Sequence, residues 1–197
     1  MKIKTLNSLS IEDLTQILEE YVYSLNIKDD IFHFLPAQSG LTNAGKNLKL
    51  GFSCYALKMI YILDKWDSLQ LDKKNNWIAS INNFQITNSE FPANSFIDDS
   101  YIYFYKNQGV EVHIKETIKK ILNKSNKYNF ELRKEALYYF VRAETKQALA
   151  TLKQVGENSK FVYQDYPKED QEIKNYLNEF DWSKPLSSGA QFAGLCV

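Results

Sequence analysis

Cysteine is almost missing from this chain: Cys54 and Cys196 are the only two in 197 residues. Two cysteines cannot build a disulfide framework, and neither lies at zinc-ligand spacing from the two histidines, His33 and His113. A reducing compartment follows, so the expected location is cytoplasmic. Net charge is also missing, with 24 basic and 24 acidic side chains. No overall field exists to gather nucleic acid or an anionic surface, and no nucleic-acid partner is expected. No run approaches 18 consecutive apolar residues, so no membrane span is expected. Met1-Lys2-Ile3-Lys4-Thr5-Leu6 lacks the apolar stretch of a signal peptide. Phosphate-binding loops, dinucleotide glycine patterns and nucleophile elbows are absent, and neither a cofactor nor a metal is implied.

Glycine and proline are scarce as well, and they punctuate the chain. Pro36, Gly40 and Gly45 mark residues 26–47 as turn and loop. Pro92 and several Asn and Ser mark 86–97 as another loop. Between these breaks the apolar residues recur at helical spacing. Ser10 and Asp13 form a capping box ahead of Ile11, Leu14, Ile17, Leu18, Tyr21, Val22 and Leu25, a stripe with a polar back. Residues 48–66 are apolar nearly all round and predict a helix buried on several sides. A second helix is expected from Lys73 to Phe84. Phe96 to Tyr105 is ambiguous between helix and strand. Val110 to Leu122 is amphipathic, with Ile114, Ile118, Ile121 and Leu122 on its face and a run of lysines on its back. Asn129 is expected to cap a long helix ended by Gly156, and Pro167 to open one reaching Phe180. Ser187 or Ser188 would cap a last apolar run, Gln191 to Val197, which reads as the opening of a buried helix and suggests a chain cut from a longer one.

The fold expected is therefore all-α, a single helical domain. Residues 1–40 supply an N-terminal helix and loop, and 41–197 supply consecutive antiparallel helical hairpins. Tyr55-Ala56-Leu57, Gln147-Ala148-Leu149 and Phe192-Ala193-Gly194-Leu195 echo one another at intervals near about 45 residues or twice that, one hairpin per repeat. Paired helices of this length, Arg142-Ala143-Glu144-Thr145-Lys146-Gln147-Ala148-Leu149, and Trp182-Ser183-Lys184-Pro185-Leu186-Ser187-Ser188-Gly189 resemble the α/α-toroid superfamily. That superfamily includes terpenoid cyclases, protein prenyltransferases and helical-barrel glycosidases and lyases. The resemblance implies a partial toroid or α-solenoid around an aromatic-lined cavity. It does not carry the cyclase or prenyltransferase chemistry. Phe96 fills the first acidic place of an Asp-x-Asp-Asp element at Phe96-Ile97-Asp98-Asp99, and no Asp, Cys and His stand at zinc spacing.

Glu144 is the leading catalytic candidate, because it sits within the apolar face of Leu137, Phe140, Val141, Ala148, Leu152 and Val155. Burial raises a carboxyl's pKa, which is how general acids are made, although an ion pair with Arg133 would make it structural. Asp98 and Asp99, beside Tyr101, Tyr103 and Tyr105, are a second acidic pair; they bind sugar hydroxyls, act as acid and base, or cap a helix. Tyr101, Arg142, Asp181 and Trp182 are the binding candidates. The 13 Tyr and 12 Phe fill a core or stack flat ligands. Two functions follow: action on, or binding of, a carbohydrate, lipid-linked glycan or other small-molecule ligand, and a non-catalytic helical scaffold for a protein partner.

Overall fold

The computed structural model describes residues 9–27, 30–87, 90–107, 109–125, 127–183 and 185–193. The chain is mostly helical, at 59% helix. The helices are α1 (Ile11–Ser24), α2 (Asn43–Asn47), α3 (Leu50–Ile62), α4 (Leu71–Asn82), α5 (Asp99–Lys106), α6 (Val110–Asn123), α7 (Arg133–Gln154), α8 (Asp170–Asn178) and α9 (Pro185–Ala193). No helix among the described residues is long and apolar enough to cross a membrane.

Two small sheets correct the all-helical expectation. β1 (Asn26–Ile27) pairs antiparallel with β2 (Asp30–Phe34), and β3 (Gln85–Ile86) with β4 (Ser95–Phe96). Both lie largely in segments that read as loops. Strands this short carry no period for a sequence to show. Tertiary contact defines them instead: the Phe96 N–H donates to Thr145 Oγ1 on α7 at 2.9 Å.

α3 is the centre of the molecule, packed against α7, α1, β2 and α4. Leu50, Cys54, Ala56, Leu57 and Ile60 are buried there, while Tyr55, Tyr61 and Ile62 leave one side of the helix in solvent. Trp77 of α4 is fully buried. Its ring stacks on Phe32 and Phe34 at 5.4 and 5.3 Å, and its indole N–H donates to Ser53 Oγ at 3.0 Å. Burying Trp this way satisfies its one polar atom.

Helix ends follow local chemistry. The Ser10–Asp13 capping box forms, at 3.0 and 3.2 Å. α7 does not begin at Asn129. Glu135 takes the Leu132 N–H at 2.9 Å and Glu116 takes the Arg133 N–H at 3.0 Å, so the first turn is capped by carboxylates. Its end is a Schellman motif: Gly156, at φ 82°, donates to Lys153 O and Glu157 donates to Leu152 O. α3 ends the same way through Asp64, at φ 58°. At the other end of the chain, Pro185 itself opens α9, ahead of the start expected at Ser187 or Ser188. Phe192 there is 46% exposed, so the described part of that segment is not a buried helix. Residues 194–197 lie outside the described residues.

Candidate functional site on the two flanks of α7

Helix α7 buries a central ridge of Leu137, Val141, Thr145, Ala148 and Leu152. The residues beside that ridge diverge to two flanks, because each step along a helix turns the side chain by about 100°. One flank carries Glu144, Gln147 and Thr151 toward α3. The other carries Tyr138, Arg142 and Lys146.

On the α3 flank, Gln147 Nε2 donates to Gly51 O at 3.1 Å. The Glu144 carboxylate lies over Gly51, where an added Cβ would stand 3.1 Å from Oε1 and 3.6 Å from Oε2. Asp98 comes to the same end of α3. Its Oδ2 accepts the backbone N–H groups of Lys49 (2.7 Å) and Leu50 (3.1 Å), and its Oδ1 accepts that of Ser100 (3.0 Å). One buried carboxylate thus caps both α3 and α5, from 48 residues away in the case of Leu50. Glu144 has no such donors: among the described residues, no hydrogen bond or ion pair reaches it. Arg133, the partner expected from sequence, lies instead over the Tyr105 ring and donates to Tyr105 O. Burial, and next the Asp98 charge, push the Glu144 carboxyl up from 4.5 to about 7. Tyr101 is half-buried, stacked on Phe140 with ring centroids 3.3 Å apart. Burial pushes the nearby Cys54 thiol up to about 12, so it is no nucleophile at neutral pH.

On the other flank, Arg142 is 9% exposed, and its Nε lies 2.9 Å from Asp165 Oδ2. The N–H is not directed at that oxygen. Asp165 also accepts the hydroxyls of Tyr138 (3.2 Å) and Tyr163 (3.1 Å). The guanidinium stands 4.9 Å from the Tyr176 ring centre and 5.8 Å from that of Tyr138. Asp165 reaches this place on a strap, residues 157–166, fastened to the β3–β4 hairpin by side-chain amides. The Phe161 N–H donates to Gln85 Oε1 (2.8 Å), Gln85 Nε2 donates to Phe161 O (2.6 Å), and Asn94 Nδ2 donates to Val162 O (2.8 Å).

A cleft of about 540 Å³ opens over this cluster, lined by Tyr138, Tyr139, Arg142, Asp165 and Tyr176 together with Lys134, Glu135 and Glu179. Beside the cluster, Tyr166 Oη is buried with no hydrogen-bond partner among the described residues, whereas Arg142 Nε faces Asp165 and the Tyr176 hydroxyl faces Arg142. Burial, and then the Arg142 charge, lower the Lys146 ammonium to about 8. Burial is also the main reason the Tyr163 and Tyr166 phenols are held above their ordinary range.

The remaining sequence candidates lie elsewhere. Asp99 is exposed and lines a shallow pocket with Asn43, Tyr103 and Phe104. Asp181 Oδ1 accepts the Ser183 N–H at 3.1 Å, and Trp182 Nε1 donates to Leu177 O at 2.9 Å, so both residues dress the end of α8. The structure thus gathers Glu144, Asp98 and Tyr101 near α3, places Arg142 in the tyrosine cleft, and leaves Asp99, Asp181 and Trp182 apart. Sequence reasoning missed Asp165, Tyr138, Tyr163, Tyr166 and Tyr176. The dense Tyr163-Gln164-Asp165-Tyr166 string was the available signal. Among the described residues no group of three or more His, Cys, Asp or Glu could hold a metal ion. No protein-family model, curated protein or solved structure matches this chain.

Proposed function

We infer that this chain is a binding protein whose ligand, a glycan or another hydroxyl-rich ring compound, occupies the tyrosine cleft between α7 and α8. The observation that carries the reading is the cleft itself, where the faces of Tyr138, Tyr139 and Tyr176 stand beside the Arg142–Asp165 ion pair in one opening. Sugar rings stack on phenol faces, and their hydroxyls both give and take hydrogen bonds. They match a cleft that offers Tyr hydroxyls, the Arg142 donors and the carboxylates of Glu135 and Glu179.

The acids that the sequence marks as catalytic candidates are not among those that line this cleft. Glu144 and Asp98 lie on the flank of α7 away from it, and both Asp98 oxygens are occupied by backbone donors. Binding without turnover is therefore the favoured form of the proposal. A toroid or solenoid of hairpins belongs to it only through the sequence resemblance; the α7–α8 cleft needs no ring to form.

Thermal shift against a panel of oligosaccharides tests the reading, because a ligand of the folded state raises Tm by mass action. A hit is expected, and Tyr176→Phe should fold normally yet bind it about tenfold more weakly, near 1.4 kcal/mol. A panel without a hit, or a hit that Tyr176→Phe leaves unchanged, sinks it.

A further inference from the structure

Amphipathic helices on globular proteins turn their apolar stripe inward. Helix α6 turns its stripe outward, and α1 leaves much of its own in solvent. On α6, Val110, Ile114, Ile118 and Ile121 are 74, 55, 51 and 61% exposed. The protein grips the polar side of this helix. Lys119 Nζ donates to Glu131 O at 3.0 Å, Asn123 Nδ2 to Phe130 O at 2.8 Å, and Glu116 takes the Arg133 N–H. On α1, Ile11, Leu14, Ile17 and Tyr21 are 81, 45, 42 and 46% exposed. That helix rests on one edge of its stripe, through buried Val22, and on the adjoining side through a Glu19–Lys65 ion pair at 3.4 Å.

The two stripes differ in charge. α1 carries Glu12, Asp13, Glu19 and Glu20 and no lysine or arginine. α6 with its C-cap carries Lys115, Lys119, Lys120 and Lys124. Its two acids are each held by a lysine on the same helix, Glu111 by Lys115 at 2.6 Å and Glu116 by Lys119 at 3.3 Å. Stacking like on like would oppose charges of one sign, whereas α1 on α6 joins opposite signs around an apolar seam. An anionic lipid surface would suit α6 and repel α1, so it answers one stripe only.

We propose that the chain self-associates through these two helices, the exposed stripe of α1 in one copy docking on that of α6 in a second copy. Each copy offers both surfaces. The contact is heterologous, and it closes as a two-fold dimer with two such seams or continues head to tail.

Sedimentation velocity of the full chain over about a hundredfold range of concentration tests this. Concentration-dependent association, weakened by added salt, is expected. Leu14→Glu and Ile118→Glu change side chains already in solvent, so helicity and Tm should hold. Each should raise the dissociation constant at least ~10-fold. The equimolar mixture of the two variants should regain a complex, because the Ile118→Glu copy keeps an intact α1 and the Leu14→Glu copy an intact α6. A chain that stays monomeric throughout overturns the proposal, as does a mixture that stays monomeric. So does binding to phosphatidylserine vesicles, lost in Ile118→Glu and kept in Leu14→Glu, by a protein that shows no association of its own.

Discussion

Arg142 and Glu144 stand two positions apart on one helix, yet the protein treats their charges in opposite ways. The arginine is given a counter-ion, two aromatic faces and a strap that delivers the counter-ion. The glutamate is given a glycine and a neighbouring carboxylate. A buried charge must be paired or lose its charge. Arg142 cannot shed its proton, so its flank is built around an ion pair. Glu144 can take one up, and burial beside Asp98 raises its pKa so that it does so more readily. The first solution holds a charge in place; the second makes one easier to give up.

The largest test of that contrast is the pH dependence of stability. The folded-state pKa of Glu144 is raised, so the native chain holds a proton that the unfolded chain has released. Stability is therefore unaffected below about 4.5 and falls as pH rises toward 7. A rise from 4.5 to about 7 corresponds to about 3 kcal/mol. Glu144→Gln should remove this slope, gaining on the parent protein by up to that amount between those pH values in urea titrations. Parallel curves for the two proteins would show that the carboxyl is not desolvated.

Arg142→Ala should come next, costing about 2 kcal/mol because it leaves Asp165 beneath the tyrosines without its cation. Asp165 keeps part of its exposure, which holds the figure below that of a fully buried pair. Arg142→Ala with Asp165→Asn should cost less than the sum of the singles, read by the same titrations as a double-mutant cycle. Additive singles would mean that the pair is not coupled.

Gly51→Ala should have the smallest effect, under about 1 kcal/mol, because the helical gain of alanine offsets the push on Glu144. Its sharper readout is the Glu144 titration by NMR, which should fall toward the ordinary carboxylate value as the carboxyl is displaced toward solvent. An unmoved titration would show that α3 yields instead.

The helices were legible because their chemistry is local. Ser10 and Asp13 cap the helix that begins beside them, and Gly156 ends α7 in a conformation that glycine adopts freely. The buried helix from Leu50 was legible because no polar back interrupts it. Other features depend on residues far apart. Asp98 reads in sequence as one of two acids beside tyrosines, but its role is fixed by Lys49 and Leu50. The sequence singles out Arg142 and not Asp165, because the strap joining them depends on Gln85 and Asn94. The stripes of α1 and α6 are plain in the sequence as stripes. Periodicity says that a helix has an apolar face, not what that face meets.

The Gln85 clasp on Phe161 makes the Asp165 wall of the cleft a latch. The strap is joined to the hairpin by two side-chain amides and a single backbone bond from Gln164 to Ala93 O, at 3.2 Å, with no ladder to zip it closed. Its amide protons at Phe161 and Gln164 should exchange with solvent by local release, well before those of α7. When the latch lifts, Arg142 loses its counter-ion and the cleft gains an entrance. The rate at which a ligand enters would then be set by how often the amide side chains of Asn82, Gln85 and Asn94 let go together.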